Sequence, residues 1–243
     1  MDFKLKSYKK DFDYSYTFGA FPTMELINFK PEAVVKVLVS SNYDKKSSED
    51  SIYSVCNDKN IEVEENDKLF NKLSPKENCY VIGVLKKFNS QIDKNKSHVV
   101  LVNPSNMGNI GTIIRTMIGF GINDLAVIGH GADLFNPKVI RASMGAIFKL
   151  KFTHYDCFED YINENGQRSV YPFMLKGAVT LDSVKVEKDK PFSIVFGNEA
   201  TGLSDDFLNY GTSVLIPHHK TIDSLNLTIA AGIAIYEFSL KSK

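Results

Sequence analysis

The chain has 243 residues, 43% of them hydrophobic and 24% charged, with 29 basic and 29 acidic side chains and a formal net charge of zero. That is an ordinary globular composition, enough for one large domain or two modest ones. Three cysteines (Cys56, Cys79, Cys157), odd in number and widely spaced, suggest neither a disulfide framework nor a zinc site and fit a reduced cytoplasm. The opening MDFKLKSYKKDFDYS lacks the apolar core of a secretory signal, and no apolar run is long enough to span a membrane. Without a sign of secretion, Asn226-Leu227-Thr228 is a chance match to a glycosylation sequon. Zero net charge counts mildly against a nucleic-acid partner, although a local basic face is still available in clusters such as Lys4, Lys6, Lys9, Lys10 and Lys86, Lys87, Lys94, Lys96. The plainer reading of each cluster alone is solvated surface.

In chain order, the first half predicts a small α/β pattern. Val34–Val39 is a buried strand, and Ser47-Ser48 before Glu49 and Asp50 marks a helix start, since acids are favoured in a first turn. Ile61–Val63 is a short strand, Asn66–Leu73 a short helix closed by Ser74-Pro75, and Cys79–Leu85 another strand. The polar stretch Phe88–Ser97 follows and reads as a linker. The second half alternates more strongly. Strands are predicted at Val99–Val102, Leu125–Ile128, Phe148–Phe152, Val170–Leu175, Ser193–Phe196 and Val214–Ile216, and helices at Asn109–Phe120, Pro137–Ala142, Phe158–Asn163 and Ser224–Leu240. Strands alternating with helices imply a mostly parallel sheet covered on both faces.

Three strand ends carry unusual loops. After Val99–Val102 come Asn103, Pro104, Ser105, Asn106, Gly108 and Asn109, then a helix bearing Arg115. Strand ends are where open α/β sheets bind ligands, and helix N-terminal amides suit an anionic or polar group. Of the 29 basic residues only three are arginine, so an arginine here points to a need for a planar, permanently charged, five-donor group. A plain strand–loop–helix with a surface arginine explains this segment alone about as well. The second loop, Gly197-Asn198-Glu199-Ala200-Thr201-Gly202-Leu203-Ser204, again follows a strand. A turn and a Ser204 cap account for Gly202 and Ser204 but not for Gly197, where a ligand is expected to lie against backbone, nor for Asn198 and Glu199. The third runs from Ile216-Pro217-His218-His219 to Ser224-Leu225-Asn226, with Asp223 or Ser224 expected to cap the last helix. Adjacent histidines without acidic or thiol companions are weak metal ligands, and no metal is expected. Arg141-Ala142-Ser143-Met144-Gly145-Ala146 reads as a helix end stopped by glycine, with Arg141 a candidate to face the site.

With these residues in hand, the chain resembles the SpoU/TrmH branch of the SPOUT RNA methyltransferases over roughly His98–Lys243. Asn109-Ile110-Gly111 through Arg115, Val195 through Ser204, and Ile216-Pro217 through Asn226 resemble the family's three motifs, in order and at fitting separations. Arg141–Ala146 matches a further recurring stretch, and about Tyr16–Phe88 resembles more loosely a small ribosomal-protein-like substrate-binding domain. The resemblance implies an α/β fold with an RNA substrate-binding domain at 1–90, a linker at 91–97 and, at 98–243, a parallel-sheet SPOUT domain whose C-terminal part forms a trefoil knot. It implies a cytoplasmic homodimer that transfers a methyl group from S-adenosylmethionine to the 2′-hydroxyl of a ribose in tRNA or rRNA. Gly197, Asn198, Ile216, His218 and Leu225 are then the cofactor-binding residues, and Arg115, Asn109, Glu199, Ser224 and Asn226 the catalytic ones. Whether Arg115 acts as base or phosphate anchor stays open, although a guanidinium is a poor base. His218-His219-Lys220 departs from the family's commoner third motif, which leaves the adenine contacts open. The competing readings are a non-catalytic RNA-binding module on the same fold and, more remotely, a generic nucleotide-binding enzyme, for which the chain has neither a GxGxxG nor a Walker sequence.

Overall fold

The computed structural model of the protein describes residues 5–43, 51–74 and 79–242. The chain divides into two units, Met1–Asn89 with Asp133–Phe148, and Ser90–Ala132 with Lys149–Lys243. The expected linker residues 91–97 thus group with the second unit. There the Ile92 N–H donates to Thr153 Oγ1 at 3.1 Å and the Asp93 N–H to Asp124 Oδ1 at 2.7 Å. Asp133–Phe148, expected inside 98–243, groups with the first unit.

The first unit is built on a mixed sheet ordered β1 (Tyr14–Phe18), β4 (Val81–Lys86), β2 (Val34–Val39), β3 (Val63–Glu65), antiparallel except for the β2–β3 pair. The near-continuous apolar run of β2 suits a strand covered on both faces: Leu38 packs with Tyr14, Tyr16 and Ile82, while Val37 and Val39 pack with Ile27 and Ile52. Helices α1 (Ala20–Phe29), α2 (Ile52–Asp58), α3 (Asp67–Leu73) and α5 (Pro137–Ala142) complete the unit. The helix start expected at Ser47-Ser48 lies outside the described residues; α2 begins at Ile52, with Ser51 Oγ accepting from the Ser54 N–H at 3.2 Å. Strand β1 and helix α1 were not expected from sequence. The alternate residues of β1, Ser15 and Thr17, are polar yet fully buried. Ser15 Oγ donates to the Phe135 carbonyl at 2.5 Å, and Thr17 Oγ1 shares a 2.6 Å bond with Thr23 Oγ1, so a strand with both faces inside looks half-solvated in sequence.

The second unit is a five-stranded, wholly parallel sheet ordered β7 (Lys151–Tyr155), β6 (Asp124–Ile128), β5 (His98–Val102), β10 (Phe192–Phe196), β8 (Ser169–Pro172). This is the parallel α/β sheet that the alternation implies. Helices α4 (Met107–Gly119), α6 (Phe158–Asn165) and α7 (Leu227–Lys241) accompany it, with a small parallel pair β9 (Val179–Thr180) and β11 (Val214–Leu215) beyond β8. Phe148 falls in a 3-10 turn, Ala146–Lys149, and the expected 148–152 strand sits three residues later as edge strand β7. Strand β8 stops at Pro172 rather than Leu175, and α7 starts at Leu227 rather than Ser224.

At the opposite end of the sheet from the strand-end loops, Arg168 is spent on structure. Its Nη1 donates to His98 Nδ1 at 2.7 Å and to the Lys96 carbonyl at 3.1 Å, and its Nη2 to the Lys94 carbonyl. A guanidinium only donates, so Nδ1 is the bare nitrogen and His98 Nε2–H donates to the Asp93 carbonyl at 2.9 Å.

Candidate functional site

The strand order reverses direction beside β5: the chain proceeds from β5 to β6 on one side, and β10 occupies the other, with Phe196 opposite Leu101. The loops leaving β5 and β10 therefore emerge side by side, as at the ligand-binding crevices of open α/β sheets. They are cross-linked by Glu199. Its carboxylate accepts from the Ser105 hydroxyl at 2.9 Å, the Ser105 and Asn106 backbone N–H groups at 3.3 and 3.1 Å, and Asn109 Nδ2 at 3.3 Å. Burial works to raise the Glu199 pKa, but its own backbone N–H, Ser105 and Asn106 outweigh it and hold the carboxyl below the ordinary glutamate range. An ionised carboxylate with this many donors is an acceptor fixed in place, and its geometry is that of a clamp between two loops.

Asn198 ties the same loops a second time. Its Nδ2 donates to the Asn103 carbonyl at 2.8 Å, and its Oδ1 accepts from the Ala200 N–H at 2.9 Å. Asn103 is in the left-handed region at φ 49°, with its Oδ1 accepting from the His130 N–H at 3.0 Å. The loop at Gly197 folds back on itself through a bridge between Asn198 and Gly202. A Cβ at Gly197 would lie 2.1 Å from the Gly202 carbonyl carbon. Glycine is required there by the loop's own fold, and the residue also lines a cavity.

The cavity, of about 380 Å³, is lined by residues at the ends of β8, β10 and β11 and the start of α7. Six of the sequence-derived residues line it: Gly197, Asn198, Glu199, Ile216, His218 and Leu225. Its volume lies in the range of about 300–1,000 Å³ usual for small-molecule sites. His218 Nδ1 lies 2.9 Å from the Ile216 carbonyl, which can only accept, so Nδ1 carries a proton and donates to it. The sequence reading missed Phe173–Lys176, which form one wall because β8 ends before them: the Phe173 N–H donates to the Val195 carbonyl and the Met174 N–H to the Val214 carbonyl, each at 2.9 Å. The turn Lys176-Gly177 was the available signal.

Four predicted residues lie outside the cavity lining. Asn109 is joined to it through Glu199. Asn106 caps α4 by accepting from the Gly108 and Asn109 N–H groups at 2.9 and 3.1 Å. Arg115 is exposed on α4 and, among the described residues, has no hydrogen bond or ion pair. Helical side chains lean toward the N-terminus, and the positions four and seven before it, Gly111 and Gly108, carry no side chain to obstruct that row. Asn226 is the cap of α7, its Oδ1 accepting from the Thr228 N–H at 2.9 Å and the Thr228 hydroxyl at 2.6 Å. The expected cap at Asp223 or Ser224 is thereby corrected, and Ser224 is an exposed loop residue two positions earlier. Arg141 belongs to the first unit. Ser204 stands at the start of the 3-10 turn Asp205–Asn209, but its hydroxyl caps no backbone amide and donates instead to Asp206 Oδ2 at 3.3 Å. Among the described residues no cluster of His, Cys, Asp and Glu is arranged to hold a metal ion, and no helix is long and apolar enough to cross a membrane.

Comparison with known proteins adds a family match and a fold match. Residues 96–236 match the model of the SpoU rRNA Methylase family, more than half of the chain. The chain is 31% identical over 145 residues to the 23S rRNA (uridine(2479)-2′-O)-methyltransferase of Streptomyces viridochromogenes, covering 57% of this chain and 50% of that protein. It is 26% identical over 155 residues to a tRNA (cytidine-2′-O-)-methyltransferase of Methanocaldococcus jannaschii, covering 59% and 67%. The aligned part spans about half the length of the first curated relatives it matches. In three dimensions it is similar to the SpoU methyltransferase AviRb of Streptomyces viridochromogenes in complex with AdoMet, with a TM-score of 0.79, 21% identity, and coverage of 94% of this chain and 90% of that one.

Proposed function

The chain belongs to the SpoU rRNA methylase family, and from that premise we propose that it transfers a methyl group from S-adenosylmethionine to the 2′-hydroxyl of a ribose in tRNA or rRNA. The observation that carries this reading is the Glu199 clamp, which joins the start of the arginine-bearing helix α4 and the loop before it to the wall of a ligand-sized cavity. Relatives named as 2′-O-methyltransferases of rRNA and tRNA support it.

The cavity suits the cofactor. Phe196, Leu203, Ile216 and Leu225 provide apolar walls for a nucleoside, and the loop backbone at Gly197 and Ile216–His218 and the His218 ring provide polar edges. Gly197, Ile216 and Leu225 would hold the cofactor, with Asn198 and His218 beside them. S-adenosylmethionine, when bound, supplies an electrophilic methyl group on a sulfonium centre. The chain's own part is positional: holding hydroxyl and methyl in line removes several kcal/mol of barrier. Arg115 binds the target phosphate and stabilises the oxygen as the ribose O–H proton leaves to phosphate or water; a guanidinium is a permanent donor with no acceptor atom, so it is not the base. Glu199 stays ionised and keeps Asn109, Ser105 and Asn106 in register. Asn226 fixes the start of α7, which leaves Ser224 free at the loop to meet substrate.

Three finer features belong to the same proposal. The C-terminal strands and loops form the family's trefoil knot, the first unit is a ribosomal-protein-like RNA-binding domain, and the enzyme works in the cytoplasm as a homodimer. Exposed Ile229, Ile233, Tyr236 and Leu240, spaced four, three and four along α7, with Phe120 against Tyr236 at 5.5 Å, make an apolar stripe suited to a second copy. Isothermal titration of the protein with S-adenosylmethionine tests the reading: saturable binding supports it, and no binding leaves the non-catalytic RNA-binding module as the better account.

A further inference from the structure

The lining of the cavity is mostly uncharged. Among the described residues that line it, Lys176, Glu199 and Asp205 are the only lysine, arginine, aspartate or glutamate side chains. One ammonium cancels one carboxylate, and the second carboxylate leaves the lining net negative. Glu199 is committed to the loop clamp. Lys176 and Asp205 hold each other: Lys176 Nζ donates to Asp205 Oδ1 at 3.1 Å and to Oδ2 at 3.0 Å. They belong to two separate segments of the lining, the stretch after β8 and the 3-10 turn Asp205–Asn209. Both backbones are anchored. Gly177, next to Lys176, is pressed against β11, where a Cβ would lie 2.4 Å from the Leu215 nitrogen. Phe207, two residues after Asp205, is buried and packs on Phe158 with ring centroids 4.9 Å apart. The Lys176 and Asp205 side chains are themselves 70% and 68% exposed, and so open a pair adds little to stability. Its place on the lining is better explained by the charge it presents to a ligand.

S-adenosylmethionine is a net cation, because its sulfonium adds to an amino-acid end whose ammonium and carboxylate cancel. Loss of the methyl group turns the sulfonium into a neutral thioether, so the product, S-adenosylhomocysteine, has no net charge. A net-negative lining therefore distinguishes two ligands of nearly the same shape. A cavity of about 380 Å³ is on the order of 9 Å across, so a cation held in it lies within the screening length of about 8–10 Å of the groups on its walls. We propose that Asp205, positioned by Lys176, is the charge by which the cavity favours the sulfonium donor over the thioether product. This rests on the reading of the cavity as the S-adenosylmethionine site. Glu199 has the same sign, but its charge cannot be removed without loosening the loops it joins, whereas Asp205 can be neutralised on an exposed turn. A cavity fitted to the nucleoside alone would hold donor and product alike, and the spent product would compete with fresh donor.

The test is isothermal titration of the full chain with S-adenosylmethionine and with S-adenosylhomocysteine, for wild type, Asp205→Asn, Lys176→Met and the double variant. The ratio of the two affinities is the readout, so changes that act on both ligands equally drop out. Asp205→Asn takes the lining from one net negative charge to none, Lys176→Met takes it to two, and the double variant returns it to one. At low salt Asp205→Asn is expected to lower the donor-to-product ratio about fivefold and Lys176→Met to raise it by a similar factor, the size of a one-charge interaction over about 8 Å at an effective dielectric of about 40. The double variant is expected to fall within about twofold of wild type, because the net charge is restored although the ion pair is gone. Both single-variant shifts are expected to shrink at about 1 M salt, where the screening length is about 3 Å. Near-ultraviolet circular dichroism matching wild type establishes that each variant is folded. A ratio that stays fixed in both single variants, or moves the same way in both, overturns the proposal and leaves the pair a tie between two segments. Failure of the wild type to bind either ligand overturns the cofactor reading instead.

Discussion

The side-chain amide of Asn109 donates to the Glu199 carboxylate at 3.3 Å, joining the first turn of α4 to the loop after β10, 90 positions along the chain. Ser105 and Asn106 reinforce the same link. Glu199→Gln removes the charge and turns an amide N–H₂ toward groups that are themselves donors. Hydrogen bonds to a charged group are worth about 1.5–3 kcal/mol each in favourable settings, so the loops should lose their register. The expected outcome is faster hydrogen exchange at the Ser105 and Asn106 amides and weaker binding of S-adenosylmethionine by about tenfold. Exchange unchanged from wild type would remove the clamp from the account. Because the Glu199 carboxyl is held below its ordinary range, its contribution is complete above the unfolded glutamate pKa and is lost as pH falls through the lower folded value.

Asn226 and Ser224 separate by role. Asn226 Oδ1 satisfies the Thr228 N–H at the start of α7, and replacing an Asn cap by Ala costs about 1 kcal/mol. Ser224 caps nothing. Urea denaturation should therefore show Asn226→Ala destabilised by about that amount and Ser224→Ala within about 0.5 kcal/mol of wild type, the range for surface changes. If Ser224 meets substrate, its variant loses turnover without losing stability. The reverse pattern of stabilities would return the cap to Ser224.

A pH effect on stability is expected from a group remote from the cavity. Burial first, then the neighbouring Arg168 charge, pushes the His98 imidazole down to about 4. With an unfolded value near 6.5, the unfolded state takes up the proton between these limits and the folded state does not, so stability is complete above about 6.5 and declines as pH falls toward 4. The full effect is about 3 kcal/mol, since each pKa unit corresponds to about 1.4 kcal/mol. Denaturation of wild type and His98→Gln at neutral and mildly acid pH measures it. The wild type should lose more stability over that interval than the variant, and equal losses would show that His98 is not the titrating group.

The stripe on α7 gives a test of assembly. Tyr236 is 49% exposed and packed edge-on to Phe120, so Tyr236→Glu places a charge in the middle of the apolar face without disturbing the core. Sedimentation velocity should show a dimer for the wild type and a shift to monomer for the variant. A wild type that sediments as a monomer would withdraw the stripe from that role.

What was legible in the sequence follows from how each segment meets its surroundings. Val34–Val39 and Pro137–Ala142 end where expected because a β-branched run and an Asn-Pro start leave few alternatives. Tyr14–Phe18 escaped notice because its buried Ser15 and Thr17 are satisfied by partners far along the chain, and sequence periodicity carries no information on those. Phe173–Leu175 looked like strand because they are apolar, whereas their apolar surface walls the cavity. The second loop stood out in the sequence because Asn198 and Glu199 are residues a simple turn and cap do not need, whereas the first, taken alone, read about as well as a plain strand–loop–helix and the third as an N-cap. The joining of loops through Glu199 was not legible, since a carboxylate does not announce which donors it will meet. Arg141, read from sequence as a candidate to face the site, groups with the first unit, a placement that sequence order alone does not reveal.

The most direct measurement is mass mapping of ribose methylation in tRNA and rRNA incubated with S-adenosylmethionine and either the wild-type chain or Arg115→Ala, alongside cofactor titration of both proteins. The expected result is one new 2′-O-methylated nucleotide with the wild type and none with Arg115→Ala, with cofactor affinity within about twofold between them, because Arg115 acts on the substrate side of the site. Methylation at wild-type rate by the variant would contradict the role of Arg115. An unchanged methylation map with the wild type, despite bound cofactor, would contradict ribose methyl transfer altogether.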